Sequence, residues 1–195
     1  MTKRIVLAGA LGGIAMFLWA SLAHMVLPLG SLGIREMPDE RPLLDLMHSS
    51  LGGSSGFYMF PALGAGGDMR AYEQKLASNP SGLLIYHPPG AAGFTPARLI
   101  TEFLTELLEA LLLAWLIAQS RFSSMPARLG LAAAIGLLAA ATTNIPYWNW
   151  YGFPVSYTAA YMTTEFVGIV IAGLVAARTL GSMSRRVPAA AAAAA

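Results

Sequence analysis

The chain has 195 residues, 56% of them hydrophobic and only 11% charged, and its mean hydropathy is +0.59. A water-soluble domain carries about 25% charged residues, so this deficit points to lipid as the surrounding medium. The formal net charge of +2 and the lack of any basic run beside stacking aromatics exclude nucleic acid as a partner, and the absence of cysteine excludes disulfides, thiolate metal sites and cysteine nucleophiles.

The first apolar segment covers 5–27 and is interrupted only by Ser21 and His24. It satisfies the requirement of roughly 20 residues for a membrane-spanning helix. Lys3-Arg4, the apolar core and Ser21-Leu22-Ala23 also imitate a secretory signal with a small-residue cleavage site. The apolar run continues through Met25, Val26, Leu27 and Leu29, which favours an uncleaved span; cleavage would leave three.

Residues 28–95 form the soluble part. DERPLLDLMHSSL (39–51) predicts a short helix, and DMRAYEQKLAS (68–78) a second one, capped by Asp68 and stopped by Asn79-Pro80. SGFYMFP (55–61) and SGLLIYHP (81–88) are β-prone runs opened by Ser-Gly and closed by proline, able to pair as a small ribbon. LGGSSG and LGAGGD lack the Lys-Ser/Thr ending and the strand–loop–helix context of a phosphate loop, and read as turns. With no core of its own, this long loop is expected to lean on the helix bundle or on a partner.

The second apolar segment is 99–119, entered through Thr95 as a hydroxyl N-cap and Pro96 at the first helical position. The third, 129–145, is short and alanine-rich, flanked by Arg128 and by Tyr147 and Trp148; the fourth is 155–177. An unpaired segment in lipid must be helical. The expected fold is therefore an all-α membrane protein. It is a bundle of four transmembrane helices with a long exoplasmic loop between helices 1 and 2. Residues 1–186 form one integral membrane domain, and 187–195 a low-complexity tail without chemical content.

A cytoplasmic N-terminus puts Lys3, Arg4, Arg121, Arg128, Arg178, Arg185 and Arg186 inside with no acid. The other side then holds Arg35, Arg41, Arg70, Lys75 and Arg98 with all the loop acids. The positive-inside rule favours this orientation, with both termini cytoplasmic and the protein in a bacterial cytoplasmic (inner) membrane.

The stretch TEFLTELLEALLLAWLIA (101–118) combines a lipid-compatible second half with Glu102, Glu106 and Glu109 in its first. At 100° per residue these fall at about 0°, 40° and −20°, one stripe, expected to turn together into the bundle or a groove. Measured from Arg98, they lie roughly 6, 12 and 16 Å deep. Glu165 in YMTTEFVG has a similar middle depth, while His24 and Asn144 lie near outer helix ends. The polar residues thus gather in the outer half, as for a vestibule open to the outside.

Four acids there face at most two cations, Arg98 and His24. Each unpaired ionised acid near the bilayer centre costs ~2.5–3.5 kcal/mol. Protonation of some acids, a bound cation, or a basic group from another subunit would relieve this, and the sequence leaves all three open. Glu102, close to the headgroups, also fits a solvated first-turn acid assisted by the helix N-terminus and Arg98.

His48 and His87 read as surface or packing residues, because no HxxxH or HExxH pairing occurs. His24 with Glu106 and Glu165 is the metal candidate. No GxSxG turn supports a hydrolase, and the scattered methionines read as packing. Between spans three and four, NIPYWNWYGFP (144–154) sets Tyr147, Trp148, Trp150, Tyr151 and Phe153 at the interface. They suit an anchoring belt or a docking surface for a lipid, pigment, quinone or partner. Gly130/Ala134, Gly136/Ala140 and Gly168/Ala172/Ala176 repeat at four-residue spacing, which lets helices approach closely within the bundle or between chains.

At HMVLPLG, GFYMFP, YHPPG and YWNWYGFP the chain resembles uncharacterised bacterial four-span membrane proteins with similar phrases, over most of its length. That resemblance brings no activity with it. The topology is also similar to the claudin type, but the paired outer-loop cysteines of that family are absent, so its function is not carried over. The leading functional expectation is a non-enzymatic accessory or scaffolding subunit of a larger membrane assembly. The alternatives are cation or proton handling by Glu106, Glu109 and Glu165, and a membrane enzyme acting on a lipid or quinone. No cofactor is expected beyond a bound lipid or cation. The expected partners are membrane lipids, other membrane subunits or further copies of the chain.

Overall fold

A computed structural model describes residues 3–91, 93 and 95–184, with side chains described through residue 181. Arg185, Arg186 and the tail 187–195 lie outside the described residues. In chain order the elements are α1 (Lys3–Met25), a 3-10 turn (Pro28–Gly30), α2 (Arg41–Leu51), β1 (Gly56–Phe60), α3 (Met69–Ser78), β2 (Gly82–Tyr86), α4 (Pro96–Gln119), α5 (Met125–Tyr151) and α6 (Val155–Ser184). The described chain is mostly helical, and α1, α5 and α6 are long and apolar enough to cross a membrane. It divides into two compact units, a helical one built on α1, α4, α5 and α6, and a smaller one formed by Arg35–Phe94 with Asn149–Gly152.

In the smaller unit the two β-prone phrases pair antiparallel, in a register running from Gly56↔Tyr86 to Phe60↔Gly82. Tyr86 is buried and its hydroxyl donates to the Gly52 carbonyl at 2.9 Å. On the opposite face Phe57 and Met59 stand beside Ile85, all three exposed. Helix α3 starts where Asp68 caps it: the carboxylate accepts from the N–H groups of Arg70 at 2.9 Å and Ala71 at 3.4 Å. Asp68→Ala should therefore cost about 1 kcal/mol in the local stability of α3, read by faster amide exchange across residues 69–78. Helix α2 begins at Arg41, two residues later than the sequence suggests, and Glu40 makes no side-chain cap bond.

In the helical unit the packing is set by small residues. A Cβ on Gly9 would lie 2.7 Å from Leu111 Cα, and one on Gly13 would lie 2.8 Å from Leu107 Cα. Helices α1 and α4 thus touch backbone to backbone, running antiparallel. The four-residue spacing of Gly9 and Gly13 carries the same signal as the small-residue pairs noted above. Against α6, Gly12 faces the Ala172 carbonyl, and the Trp19 indole N–H donates to the Thr164 carbonyl at 2.9 Å. Helix α5 packs antiparallel on α6 through Gly136 against Phe166 and Gly173 against Ala132. The Arg128 guanidinium donates to the Ala177 carbonyl at 3.2 Å, tying the start of α5 to α6.

Many large apolar side chains lie outside this core: Leu104, Leu108, Leu18 and Leu138 are all more than half exposed. Such a distribution inverts that of a water-soluble bundle and matches helices packed in lipid. Gly136/Ala140 and Gly168/Ala172/Ala176 are spent inside, whereas Gly130 and Ala134 face outward.

Two sequence expectations need correction. The third segment does not stop at 145: α5 continues through Pro146 to Tyr151 and ends at Gly152, whose φ of +71° breaks the helix. Proline removes only the N–H that would reach the Thr142 carbonyl, a loss that helices in lipid tolerate. The aromatic connection is therefore largely helical. Thr95 does precede α4, but its side chain makes no cap bond. The Arg98 N–H that it would serve is taken by the Thr95 carbonyl at 3.0 Å.

Candidate functional site: carboxylates within the helical unit

Helix α4 buries Glu106, Ala110, Leu113, Ala114 and Ile117. From helical geometry the centre of this face lies about 60° from the direction of Glu102 and about 80° from that of Glu109, but only about 20° from that of Glu106. The three acids consequently separate. Glu106 is 6% exposed, while Glu102 and Glu109 stand at the exposed margins. The expectation that the whole stripe turns inward is thus corrected: the buried face is too narrow to take all three.

Glu106 Oε2 is buried and has no hydrogen-bond partner among the described residues. An unsatisfied buried polar atom costs about 1–3 kcal/mol, more when charged. Glu109 lines a cavity of about 280 Å³ whose other walls are apolar, drawn from α1, α4, α5 and α6. On α6 the half-buried Glu165 accepts a hydrogen bond from the Asn144 amide at 3.1 Å. Asn144 is itself buried and also donates to the Ala140 carbonyl at 3.0 Å. Glu109 lies within electrostatic reach of Glu165 and Glu102, and Glu106 within reach of Glu102 and Glu109. Like charges one helical turn apart repel, and a shared proton or cation would relieve several of these contacts at once. No lysine or arginine occurs within 99–119, 129–145 or 155–177 to do so.

The structure does not bring His24 to these acids. Its Nδ1 lies 2.9 Å from the Ala20 carbonyl, and its ring sits edge-on to Tyr161 with centroids 5.8 Å apart. Among the described residues no group of three His, Asp or Glu side chains is placed to hold a metal ion. The set His24, Glu106 and Glu165 is therefore not assembled. Instead His24 ends a run of rings, with centroid spacings of 5.5 Å for Tyr147–Phe153, 5.3 Å for Phe153–Tyr157 and 4.3 Å for Tyr157–Tyr161.

Tyr157 and Tyr161 share one face of α6 at four-residue spacing, and Phe153, just before the helix, extends that row. The five proposed docking aromatics divide accordingly. Tyr147 and Phe153 join the stack, and Tyr147, Trp148, Trp150 and Tyr151 are all exposed, Trp150 at 79%.

No protein family, curated protein or solved structure matches this chain. What the site can do follows from its own chemistry. Glu165 already has a donor in Asn144, whereas Glu106 holds an acceptor oxygen without one, in surroundings that disfavour an uncompensated charge.

Proposed function

We propose that the protein crosses the membrane four times and handles protons or a cation through Glu106, Glu109 and Glu165. The observation that carries this reading is the buried, unpartnered oxygen of Glu106. Support for α4 as the fourth span is its outward apolar band together with a buried acid. Leu104, Leu108, Leu112 and Trp115 face outward, and a carboxylate faces in. A water-soluble amphipathic helix turns few large apolar side chains outward. Lys3, Arg4, Arg121, Arg128 and Arg178 fall at the ends of helices that meet on one side of the bundle, so the positive-inside rule favours placing that side in the cytoplasm of a cell with this protein in its cytoplasmic membrane.

Reconstitution into vesicles loaded with a pH-sensitive dye tests the reading. The wild type should carry a proton or cation-linked proton flux, and Glu106→Gln should reduce it to the level of empty vesicles. Wild-type flux equal to that of empty vesicles under every cation gradient tried would remove the proposal. A second reading, an accessory subunit of a larger assembly, is favoured by the exposed apolar ribbon face of Phe57, Met59 and Ile85. On that reading Phe57→Ser with Ile85→Ser strips co-purifying subunits, and Glu106→Gln does not.

A further inference from the structure

The cavity beside Glu109 has a composition that limits what could enter it. Its walls are Met16 from α1, Leu112, Leu113 and Leu116 from α4, Ile135 and Ala139 from α5, and Ile169 and Ala172 from α6. Among the described residues Glu109 is the one ionisable residue on that lining. Pockets of this kind take an apolar body, with the few polar groups fixing orientation.

We infer that this cavity binds a lipophilic organic cation, its apolar body against the aliphatic walls and its positive charge on the Glu109 carboxylate. The inference rests on the proposed cation-handling function and names its substrate class. Three features separate this ligand from its competitors. A divalent metal needs several converging donors, and the described residues offer no such group. A phospholipid headgroup stays at the interface, whereas Glu109 stands near the middle of the 24-residue α4, roughly 15–20 Å along the helix from either end. A neutral amphiphile would satisfy the walls but offer no counter-charge to an ionised Glu109, which lies within reach of Glu165 and Glu102. Charge complementarity therefore selects a cation, and the aliphatic lining selects one with apolar bulk.

The test uses the full chain in detergent and two probes of similar shape, methyltriphenylphosphonium and neutral triphenylphosphine oxide, with binding read by equilibrium dialysis. The wild type should bind the phosphonium saturably, one per chain, and the oxide at least about tenfold more weakly. Glu109→Gln, nearly isosteric, should lose that preference, and Ala139→Phe should fill the cavity and abolish both. Leu104→Phe, on the outward face of α4, should bind as the wild type does and report correct folding. Absence of saturable phosphonium binding to the wild type would overturn the inference. So would equal affinity for the two probes, or an unchanged preference in Glu109→Gln. Proton flux without phosphonium binding removes this inference and leaves the proposed function standing. Phosphonium binding without flux keeps the cavity assignment and removes the transport reading.

Discussion

Glu106→Met should make the protein more stable while eliminating the proposed flux. The methionine side chain has nearly the length of glutamate and no oxygen to satisfy. The native Oε2 is buried without a donor among the described residues, so its removal recovers a desolvation cost of about 1–3 kcal/mol. If the acid is ionised in the folded state, the gain is larger, because an uncompensated buried charge costs several kcal/mol. Apolar replacement of a core residue that packs well does the reverse and lowers stability. Chemical unfolding in detergent distinguishes the two outcomes: a raised midpoint with lost flux identifies a functional residue held at an energetic cost. A lowered midpoint would show that Glu106 contributes to folding through contacts of its own, and the case for a functional acid would fail.

The largest loss of stability is expected at the contact between α1 and α4. In Gly13→Leu the added side chain starts 2.8 Å from Leu107 Cα, and in Gly9→Ala the new methyl starts 2.7 Å from Leu111 Cα. The obstacle is backbone in both cases, so no change of rotamer relieves it and the helices must part. Overpacking of this kind costs about 1–3 kcal/mol and occasionally more, against a gain of only about 1 kcal/mol from replacing glycine within a helix. Separation would also move Met16, which lies one turn beyond Gly13 and lines the cavity. Phosphonium binding should fall with stability in the Gly13 variant. Gly130→Ala is the internal comparison: nothing lies within 4 Å of that position, so the same change there should be neutral or stabilising by up to about 1 kcal/mol. Equal unfolding midpoints for the Gly9 and Gly130 variants would contradict the close packing of α1 on α4.

Much of the smaller unit was readable because its signals are local. Asp68 sits next to the N–H groups it caps, and the two Ser-Gly…Pro phrases name both partners of the ribbon, leaving only the register to the fold. The course of α5 beyond Pro146 was not readable in the same way. A proline marks a cost of one hydrogen bond, and whether a helix bears it depends on what surrounds it. The aromatic phrase misled for a related reason, since composition cannot tell a ring that faces outward from one stacked on the next helix.

The carboxylates divide along the same line. Composition and spacing by themselves determined that this chain carries helices apolar enough to suit a membrane, and that Glu102, Glu106 and Glu109 share one side of α4, because these are consequences of hydropathy and a fixed helical pitch. Only the tertiary structure decided which acid is enclosed, which one borders a cavity, and that Asn144 rather than His24 meets Glu165. Those outcomes depend on the width of the face that α1 and α6 cover, and that width is set by glycines far away in the chain.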